Sequence, residues 1–347
     1  MSANIPSPER FFDTVNAFQK SAAMNTAVEV GLFTAVGEGF KTADKLAERC
    51  RISRRGARIL ADYMVILGFL TKKKEGDGGT EYGLTEDAAL FLDRNSQSYV
   101  GGAVEFLASP TVRGNFGALT ERVRNGGAPE GDDSALVPNH EMWVRFARGM
   151  AGLMTMPAQM VARHVLGKLG AGGAPKPMKI LDIAAGHGMF GIAFLQQNKE
   201  AQVVGLDWPA VLAVAKENAA KLGVAGRYQT IAGSAFDVDF GSGYDVVLVP
   251  NFLHHFNRET NIRLLKKVYG AIKPAGLCAT LEFSPEESRV TPAGSAAFAM
   301  VMLASTPAGD AYTIEEIRGM YEAAGFGGVE SSMLPMGMQR IFTGVKG

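Results

Sequence analysis

The run ILDIAAGHGMFGIAF (180–194) has the clearest capacity for chemistry in this chain. An apolar, strand-like stretch ends in Asp182, a loop carries Gly186 and Gly188, and a helical run follows. Such glycines let the backbone approach a ligand closely at a helix N-terminus. Gly186, Gly188 and Gly191 satisfy G-x-G-x-x-G, and Asp207, ending the next apolar run AQVVGLD, stands where a ribose-binding acid would. A dinucleotide oxidoreductase is one reading. Asp182 weighs against it, because an acid there would set negative charge beside a pyrophosphate. The same charge suits the ammonium of S-adenosylmethionine, which has no phosphate. Asp207 would then accept from both ribose hydroxyls, and Trp208 and Phe236 stand at strand ends where adenine could stack. The plain alternative makes the glycines bare turns and Asp207 a helix cap.

A second constellation follows the apolar run 244–250, in NFLHHF (251–256). It places His254 and His255 at the carboxyl edge of a sheet, where open α/β sheets bind ligands. Histidine titrates near neutrality and is the natural general base. Methyl transfer to oxygen needs such a base and a hydroxyl held in line with the methyl group. The plain reading, a core hydrogen-bonder or helix cap, fits His255. Adjacent histidines point different ways and no acid clusters with them in sequence, so no metal site is expected.

These residues need a scaffold, and the chain is long enough for one. Its 347 residues are roughly twice a typical domain. Apolar types make up 47% and charged types 20%, an ordinary globular composition that excludes a disordered chain. Thirty-five basic residues balance thirty-five acidic ones, so no global field favours nucleic acid or an anionic membrane. Two cysteines, Cys50 and Cys278, exclude a disulfide framework and a cysteine-based zinc site. The N-terminus lacks the layout of a signal peptide, and no run approaches the ~20 apolar residues of a membrane span. A cytoplasmic protein is expected.

From about residue 174 the pattern is a doubly wound sheet. Strands are expected at 179–185, 201–207, 227–233, 244–250 and 276–283, and helices at 189–197, 208–222, 259–272 and 313–324. Thr313 and Glu316 make a capping box on the last helix. The C-terminus offers two strands around a turn, hence a final antiparallel pair. Proline and glycine in 171–178 read as a linker. Between 98 and 170 the pattern is helical, and Trp143, Phe146, Met150, Leu153 and Met154 share one face. That stripe suits core packing and the roof of a pocket equally.

The first hundred residues form a winged-helix pattern. Thr42 and Ser53 can cap two helices, the second burying Ile59, Leu60, Tyr63, Met64 and Leu67. FLTKKK, the turn EGDGG and TEYGLT then make a hairpin wing. Arg54, Arg55, Arg58 and Lys72 to Lys74 invite a DNA-binding reading, the bland alternative being solvated faces. The segment 11–36 reads as one long helix with more apolar surface than a small domain can cover, which favours a homodimer.

Taken in order, AVEVGLF, the wing EYGLT, ILDIAAGHG, VVGLDWPAVL, AGSAF, NFLHHF, AIKPAG and the C-terminal AAGF resemble one family across nearly the whole chain. It is that of small-molecule O-methyltransferases with an N-terminal winged-helix dimerisation domain, including plant phenylpropanoid, acetylserotonin and bacterial polyketide enzymes. The resemblance implies domains at 1–97 (dimerisation), 98–173 (helical linker and substrate roof) and 174–347 (methyltransferase). It implies a Rossmann-like, mostly parallel α/β sheet with a C-terminal antiparallel pair. S-adenosylmethionine would be held by Asp182, Gly186, Gly188, Asp207, Trp208, the adenine loop Gly233, Ser234, Ala235 and Phe236, and Asn251 and Phe256, and would leave as S-adenosylhomocysteine. His254 would be the base and Glu282, in ATLEF, the acid that orients it. The second acid of the family falls on Ala311 in GDAYT, so either Asp310 substitutes or Glu282 acts alone. Ser234 and His255 also stand where many relatives carry aspartate. Trp143, Phe146, Met150, Phe298 and Met302 would line the pocket of a small, aromatic acceptor.

The leading expectation is therefore a homodimeric O-methyltransferase using no metal, nucleic acid or membrane. A ligand-sensing winged-helix regulator and a C- or N-methylating or non-methylating enzyme of the same fold are the alternatives.

Overall fold

The computed structural model describes residues 6–75, 79–129, 141–170, 176–335 and 337–347. The chain divides into two compact units, Met1–Ser109 and Pro110–Gly347.

In the first unit the helices are α1 (Glu9–Val15), α2 (Ala17–Glu29), α3 (Leu32–Gly37), α4 (Ala43–Cys50) and α5 (Arg54–Ile66). The hairpin β1 (Leu70–Glu75) and β2 (Gly79–Leu84) follows, then α6 (Glu86–Phe91) and α7 (Val104–Leu107). Thr42 and Ser53 cap α4 and α5 as expected, accepting from the Lys45 and Gly56 amides. β1 and β2 pair antiparallel from Leu70↔Leu84 to Glu75↔Gly79; residues 76–78 of the expected turn lie outside the described residues. Leu32, Phe33, Leu46 and Met64 are the bulk of a closed core.

Two expectations fail here. The long helix over 11–36 is three helices, broken at Asn16 (ψ 0°) and at Gly31, whose φ of 72° is the left-handed conformation that glycine permits. On α5, Met64 is buried and Leu60, Tyr63 and Leu67 pack half-buried against the core, but Ile59 is exposed. The stripe is completed by Ala57 and Ala61, whose small side chains let α5 approach its neighbours. Arg54 pairs with Asp44, and Arg58 and Lys72 both pair with Asp62, so three of the basic residues meet acids within the unit.

The second unit begins with α8 (Pro110–Gly117), α9 (Leu119–Asn125) and α10 (Glu141–Lys168). Then β3 (Met178–Ile183), α11 (Met189–Gln197), β4 (Ala201–Asp207), α12 (Pro209–Lys221), β5 (Tyr228–Ala232), β6 (Tyr244–Pro250), α13 (Arg258–Ala271) and β7 (Ile272–Glu282) alternate. The unit closes with α14 (Ala293–Ser305), α15 (Ile314–Ala323), β8 (Gly327–Met333) and β9 (Arg340–Val345). Residues 171–175 of the expected linker lie outside the described residues.

One sheet runs β5-β4-β3-β6-β7-β9-β8. Its first five strands are parallel, and β9 joins β7 and β8 antiparallel. Parallel strands covered on both faces explain the continuous apolar runs. One face packs under α10 and α11 through Val161, Val165, Ile192 and Phe194, and the other under α13 and α15 through Leu264, Leu265, Ile317 and Met320. The capping box of Thr313 and Glu316 is formed. Helix α14 is an addition the sequence did not show. β3 lies between β4 and β6, so the strand order reverses there and opens a crevice at the carboxyl edge. Among the described residues no helix is long and apolar enough to cross a membrane.

Candidate active site

The β3–α11 loop turns sharply through Gly186 (φ 56°) and Gly188 (φ 76°). A Cβ on Gly188 would lie 2.9 Å from the Ala215 Cβ and 3.0 Å from the Tyr228 hydroxyl, whereas one on Gly186 would meet nothing nearer than 3.8 Å. One glycine thus lets the loop press on its own support, and the other leaves an open side. A Cβ on Gly191 would stand 2.6 Å from Val203 Cγ1, so the third glycine serves helix–strand packing.

Asp182 is wholly buried at the end of β3. Its Oδ2 accepts from the Gly191 amide at 2.9 Å, and its Oδ1 has no partner. Burial, against the pull of that amide, raises its pKa to about 8, with Asp207 adding to the rise. The carboxyl is turned to the first turn of α11, which it holds through the Gly191 amide. Asp207 joins two strand ends: Oδ2 accepts from Gly186 N–H at 2.8 Å and Oδ1 from Trp208 N–H at 2.7 Å. Burial pushes it up to about 6. A carboxylate offers about four lone-pair sites, so these two bonds leave capacity for a vicinal diol. The open glycine loop, the diol-accepting carboxylate and the buried, half-satisfied Asp182 fit an adenosyl cofactor without phosphate. His187, between the two glycines, is buried and pushed down to about 4. Its Nδ1 accepts from Met189 N–H, so the imidazole is a neutral brace of the loop.

The β5 end continues into 233–238. Ser234 Oγ accepts from Phe236 N–H at 3.1 Å, and Ala235 is buried. The Phe236 ring meets Phe256 edge-on at 5.0 Å and lies 6.4 Å from Phe252. Gly233 donates to the Asp207 carbonyl, tying this loop to the end of β4. Trp208 opens α12 and packs with Trp143 and Val211.

After β6, Asn251 takes a left-handed φ of 53°, its amide donates to the Leu281 carbonyl, and its Oδ1 accepts from Gln339. This bend turns residues 252–255 back over the end of β7. There Glu282 Oε1 accepts from Phe252 N–H at 3.0 Å and Leu253 N–H at 2.8 Å, and Oε2 lies 2.6 Å from His254 Nδ1. Both side chains are buried. With Nδ1–H donated to Glu282, the basic lone pair of His254 is on Nε2.

The structure does not bring the Asp310 carboxylate to the imidazole. It pairs with Arg289 and with its own chain at Ala311 N–H, while the Asp310 amide donates to the His254 carbonyl at 3.0 Å. Gly309 permits that approach, since a Cβ there would stand 2.3 Å from the same carbonyl. The Nδ1 of His255, expected to be a core hydrogen-bonder or helix cap, is buried without a partner. Its ring packs edge-on to Trp143 at 5.7 Å, and burial holds its pKa well below the usual imidazole range.

Phe298 meets the His254 ring edge-on at 4.9 Å and stacks on Phe283 at 4.1 Å. Trp143 touches both Phe146 and His255. Met150 and Leu153 pack against the sheet-covering core, and Met154 lies within it, so the stripe on α10 divides between core and site. Met302 is buried on α14. Among the described residues no group of His, Cys, Asp and Glu could hold a metal ion. Sequence reasoning missed Gln339, Gly309 and Lys267; the last donates to the carbonyls of Ala235, Phe236 and Val238.

Comparison with known proteins gives consistent matches. Residues 12–94 match the O-methyltransferase dimerisation domain, and residues 180–276 the methyltransferase domain. The crystal structure of a Nostoc punctiforme protein described as an O-methyltransferase is similar with a TM-score of 0.90 and 47% identity, covering 99% of this chain and 100% of that one. The 3-hydroxy-5-methyl-1-naphthoate 3-O-methyltransferase of Streptomyces sahachiroi is 28% identical over 302 residues, 86% of this chain and 84% of its own length. Human N-acetylserotonin methyltransferase, solved with S-adenosylmethionine, shares the fold at a TM-score of 0.86 and 20% identity, covering 100% of both chains.

Proposed function

The chain belongs to the O-methyltransferases that carry a dimerisation domain, and we propose that it methylates a hydroxyl of a small aromatic molecule with His254 as general base. The cofactor is S-adenosylmethionine, which when bound supplies an electrophilic methyl on a sulfonium and departs as S-adenosylhomocysteine. The observation that carries the reading is the His254–Glu282 pair at the sheet's carboxyl edge, with every Glu282 oxygen engaged.

Glu282 fixes the imidazole in the tautomer whose Nε2 can accept a proton and stabilises the imidazolium that results. Deprotonation of the acceptor hydroxyl at Nε2 generates the oxygen nucleophile. The Gly186–Gly188 loop, Asp207 and the 233–236 loop would hold the cofactor, and Asn251 and Phe256 would border it. Asp182 and Trp208 would support these contacts from behind. Phe298, Trp143, Phe146 and Met302 would provide the apolar wall for an aromatic ring, with Met150 backing it from the core side. The naphthoate specificity in the name of the Streptomyces relative supports that class of acceptor.

We also propose a homodimer formed through the first unit, where Phe11, Phe12, Val15 and Phe18 are exposed on α1 and α2. The experiment for the activity is incubation of the purified protein with S-adenosylmethionine and a panel of hydroxynaphthoates and phenols. Methyl ether and S-adenosylhomocysteine in equal amounts are expected. Methylation at carbon or nitrogen would overturn the reading.

A further inference from the structure

We propose that Lys267 of α13 is a positioning residue for cofactor recognition, its ammonium gathering the 233–238 loop into the shape that reads adenine. This rests on the reading above that the loop receives the adenine. Lys267 Nζ lies 3.0 Å from the Ala235 carbonyl, 3.1 Å from that of Phe236 and 2.6 Å from that of Val238. An ammonium has three donors and no acceptor, so three converging carbonyls saturate it. The same Nζ sits 4.3 Å from the centre of the Phe240 ring.

The consequence follows from the planar trans peptide, in which C=O and N–H point opposite ways. Turning the Ala235 and Phe236 carbonyls to Lys267 turns the amides of Phe236 and Asp237 away from it. Those amides donate to Ser234 Oγ and to the Ser234 carbonyl. The Ser234 hydroxyl, having accepted, keeps its hydrogen to donate outward, toward a ring nitrogen of a base. Arg263, one turn earlier on α13, sets its guanidinium 5.8 Å from the Phe236 ring centre, so one helix grips the loop by backbone and by ring. Lys266, beside Lys267, is exposed and makes no such contact among the described residues.

The test uses the full-length protein and its Lys267→Met and Lys267→Arg variants. Binding of S-adenosylhomocysteine and of S-inosylhomocysteine, whose purine N1 carries a hydrogen and cannot accept from the Ser234 hydroxyl, is measured by calorimetry. Amide exchange of 233–240 is followed with and without S-adenosylhomocysteine. Loss of charged hydrogen bonds in Lys267→Met should weaken S-adenosylhomocysteine binding by about 10-fold or more. S-inosylhomocysteine should weaken much less, and unliganded exchange in 233–240 should quicken while that of β3 is unchanged. Lys267→Arg keeps the charge but not the three-fold convergence, and should lose several-fold. Equal losses for both ligands, or unchanged affinity in either variant, would overturn the proposal while leaving the adenine loop in place. Failure of S-adenosylhomocysteine to protect 233–240 in the unaltered protein would overturn the loop reading and the proposal together.

Discussion

β3 and β7 flank β6 in the sheet, and each ends in a buried acid: Asp182 on one side, Glu282 on the other. Their surroundings differ in the number of donors the following turn supplies. After β6 the chain bends at Asn251 and folds two amides and an imidazole onto Glu282. After β3 the chain gives Asp182 one amide and leaves the other oxygen bare. Two amides and an imidazole nitrogen thus converge on Glu282 and engage both of its carboxyl oxygens. One donor does not offset burial, which raises the Asp182 pKa to about 8 and favours its uncharged form. The same residue class at one sheet edge thus has two settings: a carboxylate that gathers a turn and an imidazole, and a buried carboxyl that holds one helix amide.

The largest effect that sharpens this contrast is on the histidine. His254→Ala should lower turnover by roughly 10²–10⁴-fold while cofactor affinity stays within about twofold, because a general base acts in the transition state. Calorimetry beside steady-state rates separates the two. Glu282→Gln should cost about 10–100-fold in turnover, the amide orienting the ring without neutralising its positive form. Asp207→Ala should weaken cofactor binding by about tenfold or more, with less effect on turnover at saturation. Unchanged affinity there would remove Asp207 from the site.

Asp182→Asn should have the smallest effect on turnover, about twofold or less, since burial favours the uncharged form of the native side chain. Its signature lies in stability against pH. The folded pKa of about 8 is above the ordinary 3.8, so folding takes up a proton between those values. Stability from this group is full at the acid end and is lost as pH rises toward 8, by up to about 1.4 kcal/mol per unit. Urea unfolding at pH 5 and pH 8 should therefore show Asp182→Asn gaining on the native protein at the higher pH. An equal gap at both would mean that Asp182 is charged when folded, and the contrast with Glu282 would fail.

Much of the second unit was legible because its strands are buried on both faces and its helices carry capping signals such as Thr313 and Glu316. Helix α14 was not, because AGSAAFAMVMLAS is small and apolar throughout and shows no period. The break of the N-terminal helix at Gly31 was hidden for the opposite reason: a single glycine is a weak signal inside a periodic run. In the candidate site, strand-end position and residue type singled out His254 and the glycine loop, and the family resemblance singled out Glu282, which the structure sets beside His254. Lys267 and Gly309 were invisible because their partners are backbone carbonyls, which leave no trace in side-chain patterns. Whether Asp310 substitutes for the second acid or Glu282 acts alone was left open by the sequence, because the family position falls on Ala311. The Asp310 backbone reaches His254 while its carboxylate answers Arg289.

The most direct measurement is single-turnover methyl transfer by the native protein and His254→Ala across phenols and hydroxynaphthoates of graded acidity. Base catalysis by His254 predicts that the loss in His254→Ala is greatest for the least acidic hydroxyl and shrinks toward nothing for acceptors already ionised. A loss independent of acceptor acidity, or near-native rates on the least acidic hydroxyl, would contradict it.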